Sequence, residues 1–219
     1  MSRMAQQRRP RPGLTTASVV AASRRVIERD GLDALSMRSV AAELGTAATS
    51  LYRHVNGRED LLVAILEQVA KGLPVSVPGE KPGDRLLTRF TEAHDYMARH
   101  IWVLHILIRG ELVARNAFFF ADACVEDFLE AGLPSGEAMS AFRSCWYLII
   151  GELLAEHPLH PVRHPSQRDR LTAEITAARF PALARYRAEV ADGTPPSDLS
   201  RHALRALLSA LLPGTSHSF

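Results

Sequence analysis

The chain has 219 residues, 47% hydrophobic and 23% charged, with two cysteines and a formal net charge of +2. That composition fits a soluble globular protein of one large or two modest domains and excludes a largely disordered chain. The most apolar run, residues 101–108, falls well short of the roughly twenty residues of a membrane helix, and the Arg- and Pro-rich start lacks a signal-peptide core, so a cytoplasmic protein without membrane contact is expected.

Residues 1–13 hold Arg3, Arg8, Arg9 and Arg11 among Gln and Pro, a flexible basic arm that either touches DNA or stays a solvated tail. Up to Asp60 there are ten Lys/Arg against six Asp/Glu, a net +4 that leaves −2 for the remainder, so the basic charge is concentrated at the start. Thr15 or Thr16 caps a predicted helix through Asp30, with Val19, Ala22, Val26 and Ile27 on one face and Gly31 ending it in the left-handed conformation. Leu32 and Leu35 close a small core.

The stretch Ser36 to Val55, SMRSVAAELGTAATSLYRHV, contains two short amphipathic segments meeting at Gly45. A steep helix crossing needs a small residue at the contact, here Ala41, and a turn residue that tolerates positive φ, here Gly45. Val40, Leu44, Leu51 and Val55 recur at helical spacing as inward anchors. Ala47, Ala48, Thr49, Ser50, Arg53 and His54 then face outward, with Tyr52 at the edge. Small residues permit close approach to base edges, while hydroxyl and basic groups reach phosphates. This is the pattern of a helix-turn-helix whose second helix enters a DNA groove.

The run LGTAATSLYRHVNGREDLL resembles the DNA-binding domain of the TetR family of bacterial transcriptional repressors, and the resemblance extends from about Leu14 to about Val69. It implies DNA-contacting roles for Thr16, Arg38, Thr46, Ala47, Ala48, Thr49, Ser50, Tyr52, Arg53, His54 and Arg58. Thr46 departs from the family, which usually has an aliphatic residue there, so its hydroxyl either bonds within the turn or faces DNA.

Asn56-Gly57 turns the chain into a predicted helix from about Arg58 to Leu73, whose N-terminus suits a phosphate. The Pro- and Gly-rich residues 72–83 mark a boundary, giving a DNA-binding domain over 14–72 and a second domain over 84–213. Helical period then continues through Asp84 to about Arg99, a short piece near Ile101 to Ile108, Glu111 to about Ala131, Ser135 to about Glu156, Ser166 to Ala178 and Asp198 to Leu212. A Pro-interrupted loop with His157, His160 and His164 precedes the penultimate one. A Gly-Pro-Pro linker precedes the last, and the final six residues read as disordered. Without any strand pattern, the fold class is all-α: an N-terminal three-helix helix-turn-helix domain and a C-terminal helical bundle, roughly nine or ten helices in all.

The apolar face of Ser135 to Glu156 is broader than one core contact requires. With the Leu stripe of the last helix it offers a four-helix dimer interface, for which Phe142, Ile149, Ile150, Leu153, Leu204, Leu207, Leu208 and Leu211 are candidates. The TetR resemblance implies the same pairing. Aromatic and polar residues on the middle helices, namely Phe90, His94, Met97, Trp102, His105, Phe119, Trp146 and Tyr147, are candidates for a small-molecule pocket. The resemblance implies an effector whose binding moves the reader heads out of operator spacing; the C-terminal half is weakly similar to the tetracycline-repressor branch.

Cys124 and Cys145 read as buried free thiols, and the prolines between the histidines near 157–164 disfavour a metal site. No nucleophile elbow, phosphate loop or dinucleotide fingerprint is present, so neither an enzyme nor a cofactor is expected. The function expected is a ligand-responsive transcriptional regulator, read as a repressor, that binds a double-stranded, two-fold operator as a homodimer and is released by a small-molecule effector. The alternatives are a helical carrier or enzyme with a vestigial helix-turn-helix, and a constitutive DNA-binding protein without effector.

Overall fold

The structure is a computed structural model that describes residues 14–108, 112–156, 166–191 and 199–212. The basic arm, the His157, His160 and His164 loop, the Gly-Pro-Pro linker and the last six residues lie outside the described residues. Among the described residues the fold is all-helical.

Helix α1 (Thr16–Asp30) starts at Thr15, whose side chain accepts from the Ser18 amide while Ser18 answers the Thr15 amide, a reciprocal cap. It ends at Gly31, whose φ of 86° is positive as expected but whose ψ of 167° lies outside the left-handed helical region. A 3-10 turn at Leu32–Ala34 leads to α2 (Met37–Leu44), α3 (Ala48–Leu51) and α4 (Arg58–Ala70). Val19, Ala22, Val26, Leu35, Val40, Leu51, Leu61 and Ile65 are all essentially inaccessible and make one small core.

After α4 come α5 (Pro82–Ala98), α6 (Trp102–Leu107), α7 (Ala117–Glu130), α8 (Ser135–Glu156), α9 (Gln167–Ala173), α10 (Pro181–Ala191) and α11 (Leu199–Leu211). Proline sits in the first turn of α5 and opens α10, where its missing N–H is no loss. Helices α5, α8 and α11 pack on one another.

The chain forms two compact units. The first comprises residues up to Lys71 together with 105–117, and the second comprises 72–104 and the residues from 118 onward. Several boundaries differ from expectation. The helix expected from Glu111 begins only at Ala117, because the backbone of Arg115 and Asn116 is held by Glu67 instead of continuing a helical ladder. The helix expected over 166–178 stops at Ala173, and a separate α10 follows at Pro181.

Candidate nucleic-acid interface and effector domain

The helix-turn-helix is built by local hydrogen bonds. Ser36 and Ser39 cap each other's amides at 3.0 and 2.9 Å, starting α2. Gly45 ends α2 at φ 63°, ψ 38°, a left-handed position that side chains adopt reluctantly. The Thr46 amide then reaches back to the Ala41 carbonyl at 3.0 Å and closes the turn. Ala47 takes the extended N-cap position of α3 without a side-chain cap.

Leu51 and Val55 anchor the second helix in the core, with 0% and 5% exposure. On its other side Ala47, Thr49, Tyr52 and Arg53 are exposed, and Thr46, Ala48, Ser50 and His54 are half-buried. The expected reader helix through Val55 is corrected to Ala48–Leu51, followed by turns, so Tyr52, Arg53 and His54 project from its C-terminal end. Thr16 and Arg38 are exposed on α1 and α2.

Charge is distributed unevenly over this unit. Glu43 on α2 receives Arg25 at 2.7 Å and Arg29 at 2.9 Å from α1. Hydrogen bonds from Arg25 and then Arg29 hold the Glu43 carboxyl below its ordinary value, and the Arg29 bond does the same for Asp30. Those arginines brace α1 against α2, whereas Arg38 and Arg53 form no ion pair among the described residues. Arg58 is half committed: its Nε donates to the Leu35 carbonyl at 3.2 Å. Behind it, Asp60 accepts from the Asn56 amide at 3.0 Å and from the Asn56 side chain at 2.6 Å, fixing the Asn-Gly turn.

In the second unit Phe90, Phe120, Phe142 and Trp146 form a continuous aromatic cluster, with ring centroids 6.0 Å apart for Phe90–Phe120, 6.2 Å for Phe120–Phe142 and 5.6 Å for Phe120–Trp146. Of the pocket candidates, Phe90, Met97 and Trp102 are buried, while His94 and Trp146 are half-buried. The His94 Nε2 is enclosed without a hydrogen-bond partner, and its Nδ1 lies 3.1 Å from Asp95. Phe119 and Tyr147 instead stand on the surface of this unit, 63% and 57% exposed, and do not join the cluster. His105 belongs to the first unit.

The dimer candidates divide by burial. Ile149, Leu153, Leu204 and Leu208 are buried within the chain itself, where α5, α8 and α11 cover one another. Phe142 is half-buried and belongs to the aromatic cluster. Ile150, Leu207 and Leu211 remain half-exposed. The outward stripe of α8 is instead Met139, Arg143 and Tyr147, with the Arg143 guanidinium bonded to the Tyr147 hydroxyl at 3.0 Å.

Two polar arrangements escaped the sequence reading. Asp127 is buried and accepts Arg85 on one oxygen at 2.7 Å and Arg89 on the other at 2.9 Å. Arg85 also pairs with Glu130, and Arg89 donates to the carbonyls of Pro74 and Val75. The i, i+4 arginines on an otherwise amphipathic α5 were the available signal. The second is Glu67, which grips the backbone ahead of α7. Burial raises both thiols, Cys145 to about 12, so neither is a ready nucleophile. Among the described residues no acidic, His and Cys cluster could hold a metal, and no helix is long and apolar enough to cross a membrane.

Comparison with known proteins gives consistent matches. A sequence model described as bacterial regulatory proteins, tetR family, matches residues 19–65, and one described as tetracyclin repressor-like, C-terminal domain, matches residues 79–211. The HTH-type transcriptional repressor DrrR1 of Streptomyces coeruleorubidus is 30% identical over 184 residues, covering 80% of this chain and 65% of that protein. The chain therefore spans just under two thirds of that relative's length. A crystal structure of a possible TetR family transcriptional regulator from Streptomyces coelicolor A3(2) superposes with TM-score 0.74 at 26% identity, over 90% of this chain and 98% of that one. Apo ActR from Streptomyces coelicolor has the same fold, with TM-score 0.74 at 23% identity over 94% and 98% of the two chains. ActR in complex with actinorhodin also matches, with TM-score 0.67 at 22% identity over 90% and 95%.

Proposed function

The chain belongs to the TetR family of transcriptional regulators, and from that premise we propose that it is a repressor that grips a two-fold operator as a homodimer and lets go when a small molecule binds its second unit. The observation that carries the DNA-binding half is the arrangement around Gly45. The buried Leu51 and Val55 fix α3, leaving Thr49, Tyr52 and Arg53 exposed, with Arg38 exposed on α2. Small and hydroxyl groups at the helix face base edges, while Arg38, Tyr52, Arg53, His54, Arg58 and Thr16 contact phosphates.

The second copy packs on α8 and α11, through Met139, Arg143, Tyr147 and Ile150 on one helix and Leu207 and Leu211 on the other. Tyr and Arg at the centre of such a face suit an interface hot spot. For the effector, the aromatic cluster and the enclosed, unpartnered His94 Nε2 favour a planar aromatic molecule with at least one polar substituent. Trp146 and His94 are its side-chain contacts, with Phe90, Met97 and Trp102 as the supporting wall. ActR is a protein of the same fold crystallised with actinorhodin, so actinorhodin is a suitable first probe.

The test is selection of duplexes from a randomised pool by the wild-type protein, followed by mobility shift at several salt concentrations. A recurring inverted repeat, bound by two copies with affinity that falls steeply with salt, supports the reading. Failure to enrich any sequence sinks it.

A further inference from the structure

The side chains that α3 keeps out of the core are short. Leu51 and Val55 are buried, which leaves Thr46, Ala47, Ala48, Thr49 and Ser50 between the turn at Gly45 and the exposed Tyr52. Ala47 and Thr49 are exposed, and Arg53 and His54 follow beyond the C-terminal end of the helix. From Thr46 to Ser50 no residue carries a guanidinium, an ammonium, an amide or a carboxylate. Those are the groups that pair with guanine or adenine, or accept from cytosine, in the major groove. A hydroxyl bonds to donor and acceptor edges alike and so separates bases poorly. A methyl group does better, because the C5-methyl of thymine is the apolar mark that distinguishes a base edge there.

Helix stability does not account for the methyl at Ala47. Helices α1 and α2 of the same unit start at Thr15 and Ser36, and each of those hydroxyls closes a reciprocal cap. Ala47 takes the same extended position at the start of α3, with φ −79° and ψ 144°, and supplies no cap. Alanine is among the poorer residues at that position, and a serine would hold one of the first amides. Such local preferences are given up where a surface serves its ligand. We propose that Ala47, Ala48 and the Thr49 methyl read the C5-methyl of thymine, so that α3 also accepts 5-methylcytosine in the same place, a proposal that rests on the regulator reading above. 5-Methylcytosine carries its methyl on the same ring carbon and projects it into the same groove, while it pairs as cytosine does. Methylation of a cytosine at that point of the operator is then a signal that strengthens binding.

The test uses the full chain and a duplex selected from a randomised pool. Each thymine of the half-site is replaced in turn by deoxyuridine, which pairs identically and lacks only the methyl. Burial of one methyl corresponds to about fourfold in affinity, so at one or more positions the uracil duplex binds about fourfold more weakly. With both half-sites changed the loss is about fifteenfold, since well-separated positions add. At the same positions an unmethylated C·G pair binds weakly, and 5-methylcytosine regains about fourfold. The triple variant Ala47→Gly, Ala48→Gly, Thr49→Ser deletes these methyls and keeps the hydroxyl, and it binds thymine and uracil duplexes within about twofold of each other.

Wild-type protein that binds uracil as tightly as thymine at every position would overturn the proposal, and so would a selected half-site without thymine. A thymine preference that persists undiminished in the triple variant comes from duplex shape, and it overturns the proposal too. Failure to enrich any duplex is a different result, because it removes the regulator reading itself and methyl reading with it. Should the triple variant not fold, the three substitutions are made singly. A narrowed preference in at least one of them supports methyl reading, and an undiminished preference in all of them contradicts it.

Discussion

Arg58 Nε donates to the Leu35 carbonyl at 3.2 Å, so the side chain that opens α4 also ties it to the backbone just ahead of α2. If Arg58 contacts DNA as proposed, this bond positions it beforehand. Arg58→Ala is expected to lower unfolding free energy by about 1 to 2 kcal/mol, the scale of one hydrogen bond from a charged group. It should also weaken binding to selected and random duplexes by similar factors. Urea unfolding and fluorescence anisotropy read the two effects separately.

Thr49 is exposed and Ser50 half-buried on α3, whereas Tyr52 projects from its end with 53% exposure. Tyr52→Ala is expected to reduce affinity for all sequences alike. Thr49→Ala or Ser50→Ala should instead change which duplexes a fresh selection enriches, with about 1 to 3 kcal/mol of discrimination lost at one base pair. Identical enriched sequences from all three variants would count against this division.

At Gly45 an added Cβ would meet nothing within 4 Å, so space does not restrict the position, but φ 63° does. Gly45→Ala should lose about 1 kcal/mol of stability through backbone strain alone. A thermal melt in which Gly45→Ala matches wild type would contradict the left-handed turn.

Asp127 pairs with both Arg85 and Arg89 in a buried setting, while Glu130 supplies the second negative charge at the exposed edge of the same group. Removing the buried partner strands a guanidinium away from water, so Asp127→Ala should destabilise by about 3 to 5 kcal/mol. Glu130→Ala, with water available to Arg85 on that side, should stay within about 1 kcal/mol of wild type. Chemical denaturation of both variants checks the contrast.

Acid should loosen the α1–α2 brace. The Glu43 carboxyl is held below its ordinary value of 4.5 in the folded protein, by hydrogen bonds from Arg25 and then Arg29. A carboxyl lowered on folding stabilises the native state above its unfolded value and loses that contribution as pH falls through the folded value. Stability should therefore decline as pH drops below about 4.5, and Glu43→Gln should flatten that part of the curve. Melting temperatures over the acid range, for both proteins, give the comparison.

The first unit was legible because its signals are local. Thr15, Ser36, Gly31 and Gly45 each act on backbone within a few residues, and all four stand where spacing and residue type place them. The all-helical second unit followed from periodicity, and the aromatic composition of its middle helices from the residues themselves. What escaped was long-range. Glu67 reads as an ordinary exposed helix acid until the chain brings residues 115 and 116 against it, and with it the true start of α7. Leu153 and Leu208 carry the same apolar spacing whether a neighbour in the chain or a second copy covers them, and only the packing of α5, α8 and α11 shows that they are core.

Whether α3 reads DNA and a ligand in the second unit releases it is decided by anisotropy of a labelled duplex, selected from a randomised pool, titrated with the protein and then with actinorhodin. The expected result is saturable, salt-sensitive binding by two copies per duplex, abolished by Tyr52→Ala with Arg53→Ala, and a fall in anisotropy as actinorhodin is added. Binding that survives the double substitution unchanged would contradict it. Release of DNA that is equally complete in a Trp146→Ala, His94→Ala variant would contradict the placement of the effector.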